Sequence, residues 1–190
     1  MCRRRLLTIV VVTLLFAACR KAEVTTYRVP KEELPALPTA AANQAGAGAL
    51  TWNAPPAWDE EPAGGMRRGS FKIRSEDGAE ADFSIIAFPG AAGGLASNLN
   101  RWRGQLGLPT LPTAEVEATV VHLDTPTFHV DFVDYVGETD GQPTRIMGAI
   151  LNHGGESWFF KLMGPDSLVA AQQDAFRAFM NTVAPAPARN

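Results

Sequence analysis

His129 and Asp131 stand two apart in a run that alternates apolar and polar side chains, so both project to one side of a strand. There a carboxylate can orient an imidazole, or the two can share a metal ion. His122, in the preceding run, is the third group that could join them. A metal site needs three or four converging ligands, and a general base needs a group to activate. The pair by itself is therefore read as the polar face of a sheet, and no catalytic residue, metal or cofactor is assigned. A hydrolase or metal-dependent enzyme using His129 and Asp131 is the alternative, and it requires the fold to bring His122 to them beside a concavity.

The densest polar group lies elsewhere: Asn98, Asn100, Arg101, Arg103 and Gln105 surround Trp102. Long planar donors beside an aromatic ring suit recognition of a carboxylate, a phosphate or a peptide backbone. Just upstream, Gly93 and Gly94 precede a predicted helix, where free amides and the helix dipole favour an anion. The competing readings are a solvated helix face with a core tryptophan, and glycines that only let the chain turn. The phosphate loop GxxxxGKS/T, the nucleophile elbow GxSxG, HExxH and the dinucleotide fingerprint GxGxxG are absent from the sequence. These residues thus point to a non-catalytic module that binds an envelope protein or a small anionic ligand.

The third reactive group is a thiol. The two cysteines are Cys2 and Cys19. Arg3, Arg4 and Arg5 form a basic start, and residues 6–16 (LLTIVVVTLLF) form an apolar run too short for a stable membrane span. Ala17 and Ala18 then place small side chains directly before Cys19, as in a lipobox, with Phe16 where Leu is usual and Leu15 one place early. Residues 1–18 therefore read as a lipoprotein signal peptide and Cys19 as the acylated residue, which leaves no intramolecular disulfide. Several acyl chains, as bacterial lipoproteins of this pattern carry, make attachment durable. In the sorting scheme this pattern resembles, Asp after the lipidated cysteine favours inner-membrane retention; Arg20 favours the outer membrane. The expected place is the cell envelope, facing the periplasm or exterior.

Charge narrows the partners further. The 190 residues carry a formal net charge of -3, and removal of the three leading arginines would take it to -6. Phosphate neutralisation needs a basic face, so a nucleic-acid partner is excluded. Adhesion to anionic lipid by electrostatics is disfavoured too, so the membrane is reached through the covalent lipid.

These groups need a scaffold, and 46% hydrophobic with 19% charged residues is enough to bury a core. Residues 19–49 sustain no apolar period and read as a flexible tether. A single globular domain is expected over 50–184. Strands are predicted at 66–74 and 80–88, joined by Ser75-Glu76-Asp77-Gly78, whose Asp-Gly step suits a tight hairpin. Leu95, Leu99, Trp102 and Leu106 recur at helical steps and predict a helix over 95–106. Four further strands are predicted at 117–123, 127–136, 144–152 and 157–163, with connections short enough for a meander. In 127–136, Phe128, Val130 and Phe132 take one face and His129, Asp131 and Val133 the other. A closing helix over 165–183 carries Leu168, Ala171, Ala175, Phe176, Phe179 and Val183 on one stripe, and 185–190 reads as a disordered tail. The fold class is α+β: an antiparallel sheet of about six strands flanked by two main helices.

Trp52 with Pro55-Pro56-Ala57-Trp58, a hairpin, a helix, a meander, then WFFKLMG and a helix holding Phe176 and Phe179, resembles the PsbP-like family over roughly residues 50–184. That resemblance implies an α/β/α sandwich on an antiparallel sheet. The stretches MRRGSF and FPGAAGGLASNLNRWRGQLGLP also resemble uncharacterised lipoproteins of planctomycete-type bacteria. The start differs from that of photosynthetic PsbP proteins, which carry a thylakoid transit peptide, so a role in oxygen evolution does not carry over; nor does an active site.

Replacing Cys19 by Ser is expected to abolish acylation and release the chain from the membrane fraction. A variant that stays membrane-bound at the wild-type level would exclude the lipid anchor.

Overall fold

The computed structural model describes residues 48–187. The signal peptide, Cys19, nearly all of the tether and residues 188–190 lie outside the described residues.

The described residues begin with two short strands, β1 (Leu50–Thr51) and β2 (Asp59–Glu60), and then form the first long hairpin, β3 (Arg67–Arg74) with β4 (Glu80–Pro89). Gly78 supplies the positive φ, 85°, that the Asp-Gly step promised. Helix α1 (Leu95–Gln105) and the short α2 (Thr113–Glu117) carry the chain to β5 (Val121–Asp124). The meander β6 (His129–Thr139), β7 (Gln142–His153) and β8 (Glu156–Pro165) then returns to pair β8 with β4. Asp140 and Gly141 turn β6 into β7, both at positive φ (52° and 72°), the geometry of a tight two-residue turn. Helices α3 (Asp166–Ala170) and α4 (Gln173–Thr182) and strand β9 (Ala184–Pro185) close the chain. The main sheet has seven strands in the order β2-β3-β4-β8-β7-β6-β5, antiparallel throughout, and β1 pairs with β9 separately.

Three details differ from the sequence expectation. The strand expected at 117–123 begins only at Val121, because Pro112 caps the helical turn Thr113–Glu117 and Val116 is fully buried against α1 and the sheet. The closing helix is two helices. They break at Ala171 and Gln172, where Gln172 Oε1 accepts a 3.0 Å hydrogen bond from Trp58 Nε1. Ala171 is exposed, and Val169 and Met180 are buried instead. Ala184 and Pro185 pair with Thr51 and Leu50, so the chain is held in place where a tail was expected to start.

Each sheet face has its own core. On one, Phe176, Phe179 and Met180 of α4 pack against Phe71, Phe83 and Phe160 of the sheet and against Trp58. Phe83 lies 5.0 Å from Phe179 and 4.8 Å from Trp58, in the tilted and edge-on arrangements that aromatic quadrupoles favour. On the other, Leu99, Trp102 and Leu106 meet Val133, Tyr135, Ile146, Ile150 and Phe159, confirming the stripe read from the sequence. Trp102 occupies the space above Gly148 so fully that a Cβ there would fall well inside its ring contact. Helix α1 thus covers β6, β7 and part of β8. Toward β3 and β4 the same face carries Arg67, Ser70, Lys72, Asp82 and Ser84. Among the described residues no helix is long and apolar enough to cross a membrane.

Gly148→Ala should overpack the Trp102 seat and cost about 1–3 kcal/mol of stability, measured by chemical denaturation. An unchanged midpoint would mean that Trp102 does not depend on the bare backbone.

Candidate functional site

The donor-rich helix separates into two groups. Asn98 is 3% exposed; its Nδ2 donates to the carbonyls of Ala92 (2.9 Å) and Gly94 (2.7 Å), and its Oδ1 accepts from Arg101 Nη2 (2.6 Å). Asn100 clamps Leu111, donating to its carbonyl at 2.9 Å and accepting from its amide at 3.0 Å. Arg103 donates to Pro109 O through Nε and Nη2 and lies over the Tyr135 ring, 5.5 Å from its centroid. These three side chains shape the loops around α1. Gly93 and Gly94 adopt positive φ, 86° and 85°, in the turn that Asn98 ties to the helix. Arg101 and Gln105, one turn apart, are the members that reach outward to the rest of the sheet face.

Gln105 Oε1 accepts a 2.9 Å hydrogen bond from Lys161 Nζ. Lys161 sits on β8, the middle strand of the seven, in one row across the sheet with Ser84 on one side and Gly148 on the other. Its small neighbours leave room for the stem to lie along the sheet. Beside it is a pocket of about 440 Å³, lined by Lys161, Asp82, Thr139, Pro143, Met163 and Pro165 among others. Burial pushes the Lys161 ammonium below the usual lysine range; Asp82 pulls it back up, while Arg67 and Arg101 depress it further. Asp82 is held bidentate by Arg67, at 3.0 and 2.8 Å. The local balance of these four charges is positive, and the pocket wall around Met163, Pro143 and Pro165 is apolar. Sequence reasoning passed over Lys161, although a lone charge inside the apolar run WFFKLM was its signal.

The histidines form a separate cluster. Register pairs His122 with Asp131 and Asp124 with His129, so all four side chains share a face of β5 and β6. Each imidazole Nδ1 lies 2.9 Å from the opposing carboxylate, His122 from Asp131 and His129 from Asp124. The rings stack with centroids 4.9 Å apart. The fold therefore brings His122 to His129 and Asp131, but on open surface: the imidazoles are 60% and 62% exposed. Lys161 shares its row with Gly148 and Val133, so it lies two residues along the strand direction from Asp131 and two strands across, and the pocket beside it extends from there toward Thr139 at the other end of β6.

No protein-family model and no curated protein matches the sequence. Among solved structures, the chain is similar to LpqN of Mycobacterium tuberculosis, a protein involved in cell envelope biogenesis, at 12% identity over 75% of this chain and 86% of that one, with a TM-score of 0.50. It is similar to a protein of Bacteroides thetaiotaomicron at 13% identity and a TM-score of 0.45, over 73% of this chain; it spans 45% of that protein's length. Cyanobacterial PsbP (CyanoP) of Synechocystis is found at 11% identity over 78% of this chain and 99% of that one, with a TM-score of 0.33. At such identities the likeness is one of fold. The architecture is the antiparallel α+β sandwich that the PsbP-like resemblance implied.

A lysine with a lowered pKa binds fewer protons folded than unfolded between its depressed value and the ordinary one. Its charge therefore costs stability at neutral pH, and that cost fades as pH rises through this window. Lys161→Met should accordingly be more stable than wild type at pH 7, with the advantage shrinking as pH rises toward the ordinary lysine value of 10.5 and gone above it. Loss of stability at pH 7 would make Lys161 a structural residue.

Proposed function

We propose that the chain is a non-catalytic binding domain of the cell envelope, tethered to a membrane through lipid on Cys19, that holds a small anionic ligand in the Lys161 pocket. One observation carries the binding role: a partly buried ammonium, weakened by desolvation, at an otherwise largely apolar pocket on the central strand. Such a cation regains through a bound carboxylate or phosphate what it lost in leaving water, and the apolar wall suits a short hydrocarbon body. The volume, about 440 Å³, fits a small molecule rather than a polymer segment.

Catalysis is disfavoured by how the polar groups of the pocket are engaged. Thr139 Oγ1 donates to Gln105 O, Thr144 Oγ1 donates to Gln142 O, and Asp82 is neutralised by Arg67. None of these is poised beside a base in the way a nucleophile requires. The envelope assignment is supported by the basic, apolar and small-residue order before Cys19, by the long Ala- and Pro-rich spacer, and by the envelope role of LpqN, whose fold is similar.

Native mass spectrometry of the chain purified from the envelope should reveal a small bound anion in wild type and in Arg103→Ala, and none in Lys161→Met. A ligand retained by Lys161→Met would refute the pocket, and a released Cys19→Ser chain that keeps its ligand would separate the anchor from the site.

A further inference from the structure

At the sheet edge away from the pocket, β5 and β6 repeat one pattern in opposite directions: His122-x-Asp124 on one strand and His129-x-Asp131 on the other. Antiparallel pairing makes the two strands exchange partners, each imidazole facing a carboxylate across the ladder. The Nδ1 atoms are engaged by those carboxylates. A carboxylate on one ring nitrogen fixes the tautomer and turns the other nitrogen outward as a donor, the arrangement that accompanies histidine metal ligands. Nε2 of each ring is left without a hydrogen-bond partner among the described residues.

One donor atom from each of His122, His129 and Asp131 lies within 4.8 Å of the others. Tetrahedral zinc, with bonds of about 2.0–2.2 Å, needs its donors roughly 3.4 Å apart. Closing that gap takes rotation of exposed side chains, in which Asp131 gives up its hydrogen bond to His122 Nδ1 for a bond to the ion while Asp124 keeps its hold on His129. We propose that His122, His129 and Asp131 bind one divalent transition ion of the zinc, nickel or copper class, with Asp124 as the residue that positions His129. Two imidazoles and a carboxylate favour such borderline ions over magnesium or calcium, which prefer all-oxygen shells. Three protein ligands leave a further position for water.

The ion would also act on the fold. β5 is an edge strand of four residues in which Leu123 packs against the core while Val121 is 52% exposed and His122 and Asp124 face solvent. The ion joins β5 to β6 through side chains and stabilises the native edge by mass action. This inference does not rest on the Lys161 pocket.

The test uses the full chain, without a polyhistidine tag, purified in detergent. Zinc titration by calorimetry should give one ion per chain in wild type and in Lys161→Met, with no binding of magnesium. His122→Ala with His129→Ala should weaken zinc binding about tenfold or more while leaving the circular dichroism spectrum unchanged; both residues are exposed, so folding should persist. Copper(II) bound to wild type should show nitrogen hyperfine structure from imidazole in its electron paramagnetic resonance spectrum, lost in the double variant. Absence of zinc binding by wild type, or undiminished binding by the double variant, would overturn the site.

Discussion

Trp102 seated on the bare backbone of Gly148 decides what the α1 side of the sheet can be. An indole that needs the volume of a missing side chain fixes α1 to one lateral position, over β7 and its neighbours. The far end of the helix is fixed in the same way: Leu106 crowds Gly137, and Leu106 O accepts a 2.9 Å hydrogen bond from the Glu138 amide. With α1 pinned at both points, it cannot also shield β3 and β4. Those strands meet the constraint with opposite faces of opposite character. Phe71, Ile73, Phe83 and Ile85 feed the aromatic core under α4, while on the other side Lys72 and Asp82 form ion pairs and the small side chains of Ser70 and Ser84 are buried between them and their neighbours.

Lys161 sits where these regimes meet. Phe159 and Met163, two residues away on the same strand and face, pack against the α1 core, so an apolar residue at 161 would extend that core at no electrostatic cost. The chain instead places an ammonium there, anchors it on Gln105 and surrounds it with Asp82, Arg67 and Arg101. A partly buried ammonium at a central position, beside a pocket, is the kind of local violation that functional sites show. The same logic does not apply to Asn98 and Asn100. Their amides satisfy loop carbonyls and an amide that burial would otherwise leave unpaired, which is reason enough for asparagine.

Local patterns were legible because their causes are local. The Leu95, Leu99, Trp102, Leu106 stripe, the Asp77-Gly78 turn and the alternation through Phe128, Val130 and Phe132 each depend on residues within a few positions, and each has its expected place. The helical turn at Thr113–Glu117 was hidden because Glu117 to Leu123, with Val120 and Val121, read as a strand and the residues before it carry two prolines; burial of Val116 under α1 favours the turn. The site was less legible for a topological reason. Whether Asn100 binds a ligand or the Leu111 backbone depends on where the GLPTLPT segment travels, and whether Lys161 is covered depends on how far α1 reaches across the sheet. His122 and His129 are neighbours only through the β5–β6 register, which a two-proline stretch and a short helix precede and nothing in the spacing specifies.

The two surfaces also differ in their position along the chain. Gly48 approaches Gly154 in the β7–β8 turn, and β1 and β9, the first and last strands of the described residues, pair with each other. The histidines belong to this end of the meander: β6 starts there with His129, and Phe128 packs edge-on against His153, 5.3 Å between centroids. Thr139, Gln142, Pro143 and Pro165, which help line the Lys161 pocket, lie at the opposite end of β6, β7 and β8. A chain entering the domain at Gly48 therefore joins it at the end remote from the pocket. Lys161 is six to seven residues along β8 from the turn that Gly48 approaches, which puts about 20 Å between residue 48 and the ammonium, with the rest of the pocket farther along the strand.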